Sequence, residues 1–141
     1  MADQPSFSLE KIYVKHFSID CPASPEIFLE RIEPTVHMQL GVGTRNIDEA
    51  HYESAVTITV TAKLQDKTQY VVKAVHAGIF KLVNVPAADV GPLLNVGGPN
   101  IVFPYIRELI SDAVIRAGFP PMLLTPVNFE ALYQARQLEA A

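Results

Sequence analysis

The chain has one cysteine, Cys21, so an intrachain disulfide is impossible and a thiolate zinc cluster within one subunit is excluded. Cys21 precedes Pro22 in an Asp-Cys-Pro turn with no base nearby in sequence, which gives it no nucleophilic setting. Charge is scarce as well: charged residues make up 18% of the chain, against roughly 25% in an average soluble domain. Hydrophobic residues reach 49%, and another chain is expected to cover some of that apolar surface. The net charge of −4 and pI near 5.5 leave no basic footprint for nucleic acid or anionic lipid, because the eleven Lys and Arg residues are scattered along the sequence. No apolar run approaches a membrane span, and the start Met1-Ala2-Asp3-Gln4 lacks the basic and apolar regions of a secretory signal. The expected compartment is the cytosol.

Catalytic signatures are missing too. His16, His37, His51 and His76 do not pair at the close spacing of metal ligands on a helix or strand, so no metal site is expected. Ser, His and Asp occur without a nucleophile elbow or other local signature. Asp48-Glu49 and the acids Glu26, Glu30 and Glu33 lie in or beside loops without converging partners, as solvated carboxylates do. Asn95-Val96-Gly97-Gly98 precedes a helix but matches neither phosphate-loop spacing and has no lysine beside it.

What remains is a packing pattern. At 141 residues the chain fits a single domain, 1–141, with one core. Val36, Met38, Leu40 and Val42 alternate with polar residues, as do Val56, Ile58, Val60, Ala62 and Leu64, which predicts strands of an antiparallel sheet with one apolar face each. The break Gln65-Asp66-Lys67 predicts a hairpin into a last strand near Thr68 to Leu82, whose apolar residues fall on both parities, so that both its faces should be covered. The first strand changes phase twice between Phe7 and Ile19, which predicts bulges or a bend. Cys21 to Phe28 reads as a proline-bounded crossing with one helical turn, and Val83 to Gly98 as loop apart from a turn at 87–90.

An amphipathic helix should start near Asn100, run through Val102, Phe103, Ile106, Leu109, Ile110, Ala113 and Val114, and stop at Gly118. The stretch from Phe119 to Val127 is unusually apolar for a connection and must pack on something. Asn128 should cap a short last helix that carries Phe129, Leu132, Tyr133 and Leu138.

The run Pro99-Asn100-Ile101-Val102-Phe103-Pro104-Tyr105, with Arg107-Glu108 close behind, resembles the signature of the SecB family of export chaperones. Gly118-Phe119-Pro120-Pro121, Pro126 to Tyr133, Gly78-Ile79-Phe80 and Ile12-Tyr13-Val14-Lys15 follow in the family's order, so the resemblance covers residues 7–138. It implies an α+β fold, a four-stranded antiparallel sheet with a long helix and a shorter C-terminal helix packed on one face. It further implies a homotetramer built as a dimer of dimers, with Tyr70, Val72, Ala74 and His76 at strand positions that influence assembly.

The implied activity is to hold non-native preproteins and pass them to the SecA motor, with no cofactor and no bond made or broken. Matching positions put Phe28, Ile32, Leu123, Leu124 and Tyr133 in the client-binding groove and Asp20 and Val71 in a SecA-facing patch. That patch departs from the family, because His16 and Lys73 stand where well-known members carry acids. Two rivals follow: a SecB-like chaperone uncoupled from export, such as one protecting an antitoxin, and a small-molecule-binding protein using the loop around Gly97 and Gly98. The last lacks converging polar groups.

Overall fold

Alternating β-branched residues build the sheet. The computed structural model describes residues 4–140, in which β1 (Ser6–Asp20), β2 (Thr35–Asn46), β3 (His51–Leu64) and β4 (Lys67–Val83) pair antiparallel in the order β1-β4-β3-β2. Val56, Ile58, Val60 and Ala62 of β3, with Val72 and Ala74 of β4, are fully buried on one face. Thr57, Thr59 and Thr61 line the opposite, open face. The β3–β4 hairpin turns on Gln65-Asp66, with Gln65 in the left-handed region at φ 57°.

Strand β1 slips register around Glu10 and again around Lys15. Those two bulges are the phase changes of the sequence, and they return Leu9, Val14, Phe17 and Ile19 to the face of Val72 and Ala74. The expectation that β4 is covered on both faces is met on one only. Val71, Val75 and Ile79 remain half-buried on the open face.

The helical layer is longer than the sequence suggests. In place of the loop expected up to Gly98, helix α1 (Ala87–Pro92) continues through a π turn at Leu93–Gly97 into α2 (Gly98–Arg116), so the helical path begins at Ala87 and not near Asn100. Proline and glycine mislead here for a physical reason. In the π turn the Gly98 N–H reaches back to the Leu93 carbonyl, and on that spacing the Leu94 carbonyl faces Pro99, which has no N–H. The Ser54 hydroxyl of β3 donates to it instead, at 2.8 Å. Gly98 serves close approach, since a Cβ would stand 2.5 Å from Ser54 Oγ and 2.7 Å from Ser54 Cβ.

Helix α2 lies over β3 and β4 and buries Val102, Phe103, Ile106, Ile110 and Val114, each burial contributing roughly 1.5–3 kcal/mol. It ends as the sequence predicts. Gly118, at φ 97°, donates to the Ile115 carbonyl and Phe119 to that of Val114, the paired bonds of a Schellman cap. Helix α3 (Phe129–Ala140) is capped by Asn128, whose Oδ1 accepts the Ala131 N–H at 2.9 Å, and its Phe129 meets Phe103 edge-on at 5.8 Å. Leu138, on the same helix, is exposed. The crossing segment carries a single 3-10 turn, Glu26–Leu29, anchored by buried Ile27.

Gly98→Ala should cost about 1 kcal/mol in chemical denaturation, since overpacking of ~1–3 kcal/mol outweighs the helix-propensity gain of up to ~1 kcal/mol. Gly41→Ala on β2, where an added Cβ meets nothing within 4 Å, should leave the protein as stable or slightly more so.

His76 generates a second prediction. It lies beneath α2 with Nδ1 buried and unpartnered among the described residues, its ring 5.9 Å from that of Tyr105, and its cross-strand neighbours Val14 and Val56 carry no charge. Burial pulls its pKa below the ordinary 6.5, against an opposing pull from Glu108. The unfolded chain therefore takes up a proton that the folded chain resists, so stability is complete above about pH 6.5 and falls as pH drops toward the lowered value. Urea midpoints should decline between about pH 7.5 and 5.5, a window above the ordinary carboxylate range, and His76→Gln should flatten that decline.

Candidate functional site

The short crossing segment and the proline-rich loop after α2 converge at one end of the molecule. With Ile27 fixed in the core, Phe28 projects outward and stacks on Phe119 at 5.0 Å, and Phe119 in turn meets Tyr70 of β4 at 5.0 Å. The Tyr70 hydroxyl reaches Met122 Sδ at 3.7 Å. Gly118 makes room for this stack, because a Cβ there would come within 3.0 Å of the Phe28 ring. Pro34, Val36, Tyr70, Phe119, Pro121 and Met122 line a cavity of about 260 Å³ beside it. The apolar composition of residues 119–127 is thereby explained.

Several large apolar side chains at this end face solvent. Leu29 is 83% exposed, Ile32 58% and Phe28 47%. Leu123 is 76% exposed and lines a separate depression of about 350 Å³ with Pro104 and Ile115 of α2. Tyr133 sits elsewhere again, half-buried beside Pro92, Leu93 and Val96, with its hydroxyl over the bare Cα of Gly91. Leu124 is buried in the core and presents no surface. The groove positions carried over from the resemblance thus split among an aromatic stack, a depression on α2, a cleft between α1 and α3, and the core. Leu29, Phe119 and Met122 were missed by sequence reasoning, although the apolar loop was a signal for the last two.

Tyr70, Val72, Ala74 and His76 project from β4 to its covered face and are buried within the subunit, Tyr70 against Phe119 of the loop after α2. Asp20 and Val71 are cross-strand partners on the open face. Lys73 and His16 continue the same face, opposite Ser18 and Val75. The four positions of the implied SecA-facing patch therefore form one surface.

A charged network on that face had no sequence signal. Glu53 is almost fully buried, accepts a 2.8 Å bond from Lys15 Nζ, and receives the Tyr13 hydroxyl. Burial pushes the Glu53 carboxyl up, but the bonds from Lys15 and Tyr13 together with the Lys15 charge outweigh it and hold it below its usual range. Burial and that same carboxylate push the Tyr13 phenol up to about 12. The bulge at Lys15 enables this contact by turning its side chain to the open face.

Among the described residues no cluster of three or more His, Cys, Asp or Glu is placed to hold a metal ion. Burial, and secondarily Asp20, raises the pKa of the half-buried Cys21 thiol, which disfavours the nucleophilic thiolate.

Comparison with known proteins agrees with this geometry. Residues 1–140 match the family described as SecB, preprotein translocase subunit SecB. The chain is 49% identical to the protein-export protein SecB of Chromobacterium violaceum over 98% of its own length and 92% of that protein. It is 51% identical to the one from Dechloromonas aromatica over 99% and 91%. In fold it is similar to a SecB-like chaperone of Mycobacterium tuberculosis solved with a peptide from an antitoxin, with a TM-score of 0.69 and 14% identity over 86% of this chain and 87% of that one. A long helix and a short one packed on an antiparallel sheet, a family match over residues 1–140, and relatives at half identity over nearly the whole length lead to one conclusion: the chain belongs to the SecB family of chaperones.

Proposed function

We propose that this protein is a cytosolic holdase that captures non-native preproteins on exposed apolar side chains, keeps them competent for translocation and hands them to the SecA motor. The single observation that carries the reading is the set of large apolar residues left in solvent around the Phe28–Phe119–Tyr70 stack, Leu29 and Ile32 foremost. Burial of apolar area rewards any sequence that brings such area, without a fixed hydrogen-bond pattern, which suits a site for many clients. Folded proteins have already buried theirs and gain nothing by binding.

The proposed assembly is a homotetramer, a dimer of dimers. Leu9, Val14 and Phe17 on β1 and Tyr105 and Ile115 on α2 are exposed apolar side chains that a second copy would cover. Tyr70, Val72, Ala74 and His76 would act on assembly from beneath, by setting how α2 sits. Joining several weak capture sites on one particle raises their combined affinity through effective concentration. Handover is assigned to the open sheet face at Asp20 and Val71. A second reading, chaperoning without export, is favoured by His16 and Lys73 on that face; binding to the zinc-containing tail of SecA supports the first reading, and failure to bind it supports the second.

Ile32→Asp combined with Leu123→Asp should weaken capture of an unfolded client about tenfold or more, read as the concentration needed to suppress its aggregation, because each lost apolar contact is worth roughly 1.5–3 kcal/mol. Both sites are exposed, so the urea midpoint should stay within about 0.5 kcal/mol of wild type. Unchanged capture would sink the groove assignment. For assembly, Tyr105→Asp should lower the mass measured by light scattering from tetramer to a smaller species.

A further inference from the structure

The sulfur atoms of the described residues sit in three different settings. Cys21 is half-buried with its thiol held above the ordinary range, which disfavours the thiolate that reacts with peroxides. Met38, 40% exposed on β2, stands opposite Val60, which offers no side-chain donor. Met122 is different. It is half-buried on the wall of the cavity of about 260 Å³ beside the aromatic stack, and the Tyr70 hydroxyl donates to its Sδ at 3.7 Å. Glu33, Pro120 and Pro121 around the same cavity are exposed, so a molecule as small as hydrogen peroxide reaches the thioether from solvent.

A thioether is a weak acceptor, so the Tyr70 phenol is poorly satisfied by it. Burial raises the Tyr70 phenol above its ordinary range, which keeps the proton on the oxygen at neutral pH. An oxygen added to the sulfur would be a far stronger acceptor. With an S–O bond of ~1.5 Å and the usual bend at the accepting oxygen, the 3.7 Å from sulfur to phenol leaves about 2.8 Å between the two oxygens, an ordinary O–H···O length.

We propose that Met122 is an oxidation site of the capture cavity, where hydrogen peroxide forms a sulfoxide held by the Tyr70 hydroxyl and client capture falls. The inference rests on the capture reading above. A sulfur lone pair attacks one peroxide oxygen, the S–O bond forms as the O–O bond breaks, and the departing hydroxide takes the proton of the transferred oxygen and leaves as water. Sulfur loses two electrons and peroxide gains them. Pro34, Val36, Phe119 and Pro121 give the cavity apolar walls, so the sulfoxide puts a polar, hydrogen-bonded group where a client's apolar side chain would lie. Enzymatic reduction of methionine sulfoxide makes the loss reversible.

The test treats the full chain with hydrogen peroxide, removes the excess with catalase, and adds dithiothreitol, which reverses sulfenic acid or disulfide at Cys21 and leaves sulfoxide. Peptide mass mapping should find Met122 one oxygen heavier. The concentration needed to suppress aggregation of an unfolded client should rise about threefold or more, and methionine sulfoxide reductases should restore it. Met122→Leu should show the same capture before and after peroxide, whereas Met38→Leu should lose capture as wild type does. In urea, oxidation should lower the midpoint of Tyr70→Phe further than that of wild type, since only wild type gives the sulfoxide this donor. An unoxidised Met122, unaltered capture after its oxidation, equal loss in Met122→Leu, or equal lowering of the two midpoints would each overturn the inference. If Ile32→Asp with Leu123→Asp weakens capture while oxidation does not, this inference falls alone; if neither weakens it, the capture reading falls too.

Discussion

The seat of α2 on β3 governs this molecule. Where Gly98 meets Ser54 a helix backbone approaches a strand with no side chain between them, and the Ser54 hydroxyl supplies the donor that Pro99 removes from the π turn. One contact thus resolves two difficulties, close packing and an orphan carbonyl, each costly when left unmet in a buried position. It also fixes how far α2 reaches across the sheet. Because the helix is centred over β3 and β4, the outward ends of the buried-face rows on β1 and β2 stay uncovered, and Leu9, Val14, Phe17, Val36 and Met38 remain in solvent.

In the proposed function, that incomplete cover is what would capture clients. A fold that hid all its apolar rows would be a more ordinary domain and could hold nothing. Here the core is closed, with fully buried Val56, Ile58, Val60 and Val72, while apolar residues at one end rest on an aromatic stack. Phe28 stacks on Phe119, and Phe119 on Tyr70, so in the proposed capture little side-chain entropy would be lost at this stack. In that reading adaptability would come from Met122, whose unbranched side chain accepts many shapes.

Local signals were legible where a single element decides its own geometry. The alternation in β3, the two phase changes in β1, the cap at Asn128 and the stop at Gly118 all follow from chain-local rules, and the structure contains them. The stretch 91–98 was illegible because Gly91, Pro92, Gly98 and Pro99 answer to neighbours distant in sequence, Tyr133 and Ser54 among them. Parity showed that Tyr70, Val72, Ala74 and His76 share a face, but not that α2 of the same subunit covers it. Leu124 and Leu123 are indistinguishable by type, and only the path of the loop buries one and exposes the other.

The same limit explains the charge pattern. Lys15, Arg45, Glu53 and Lys73 come from four strands, and nothing in their spacing predicts that register brings them together. An average charge of −4 therefore conceals a division of labour: apolar residues flank the helical layer, and cations occupy the sheet surface behind it. Apolar capture depends weakly on salt, whereas binding between exposed charges is screened within about 8–10 Å at ordinary ionic strength. Two partners engaged by such different forces, one at the apolar end and one on the open sheet face, would not compete for the same atoms. In the proposed reading, a chaperone that keeps its client on the apolar side chains while a receiver meets the sheet face would gain from that separation, since the receiver could dock before the client leaves.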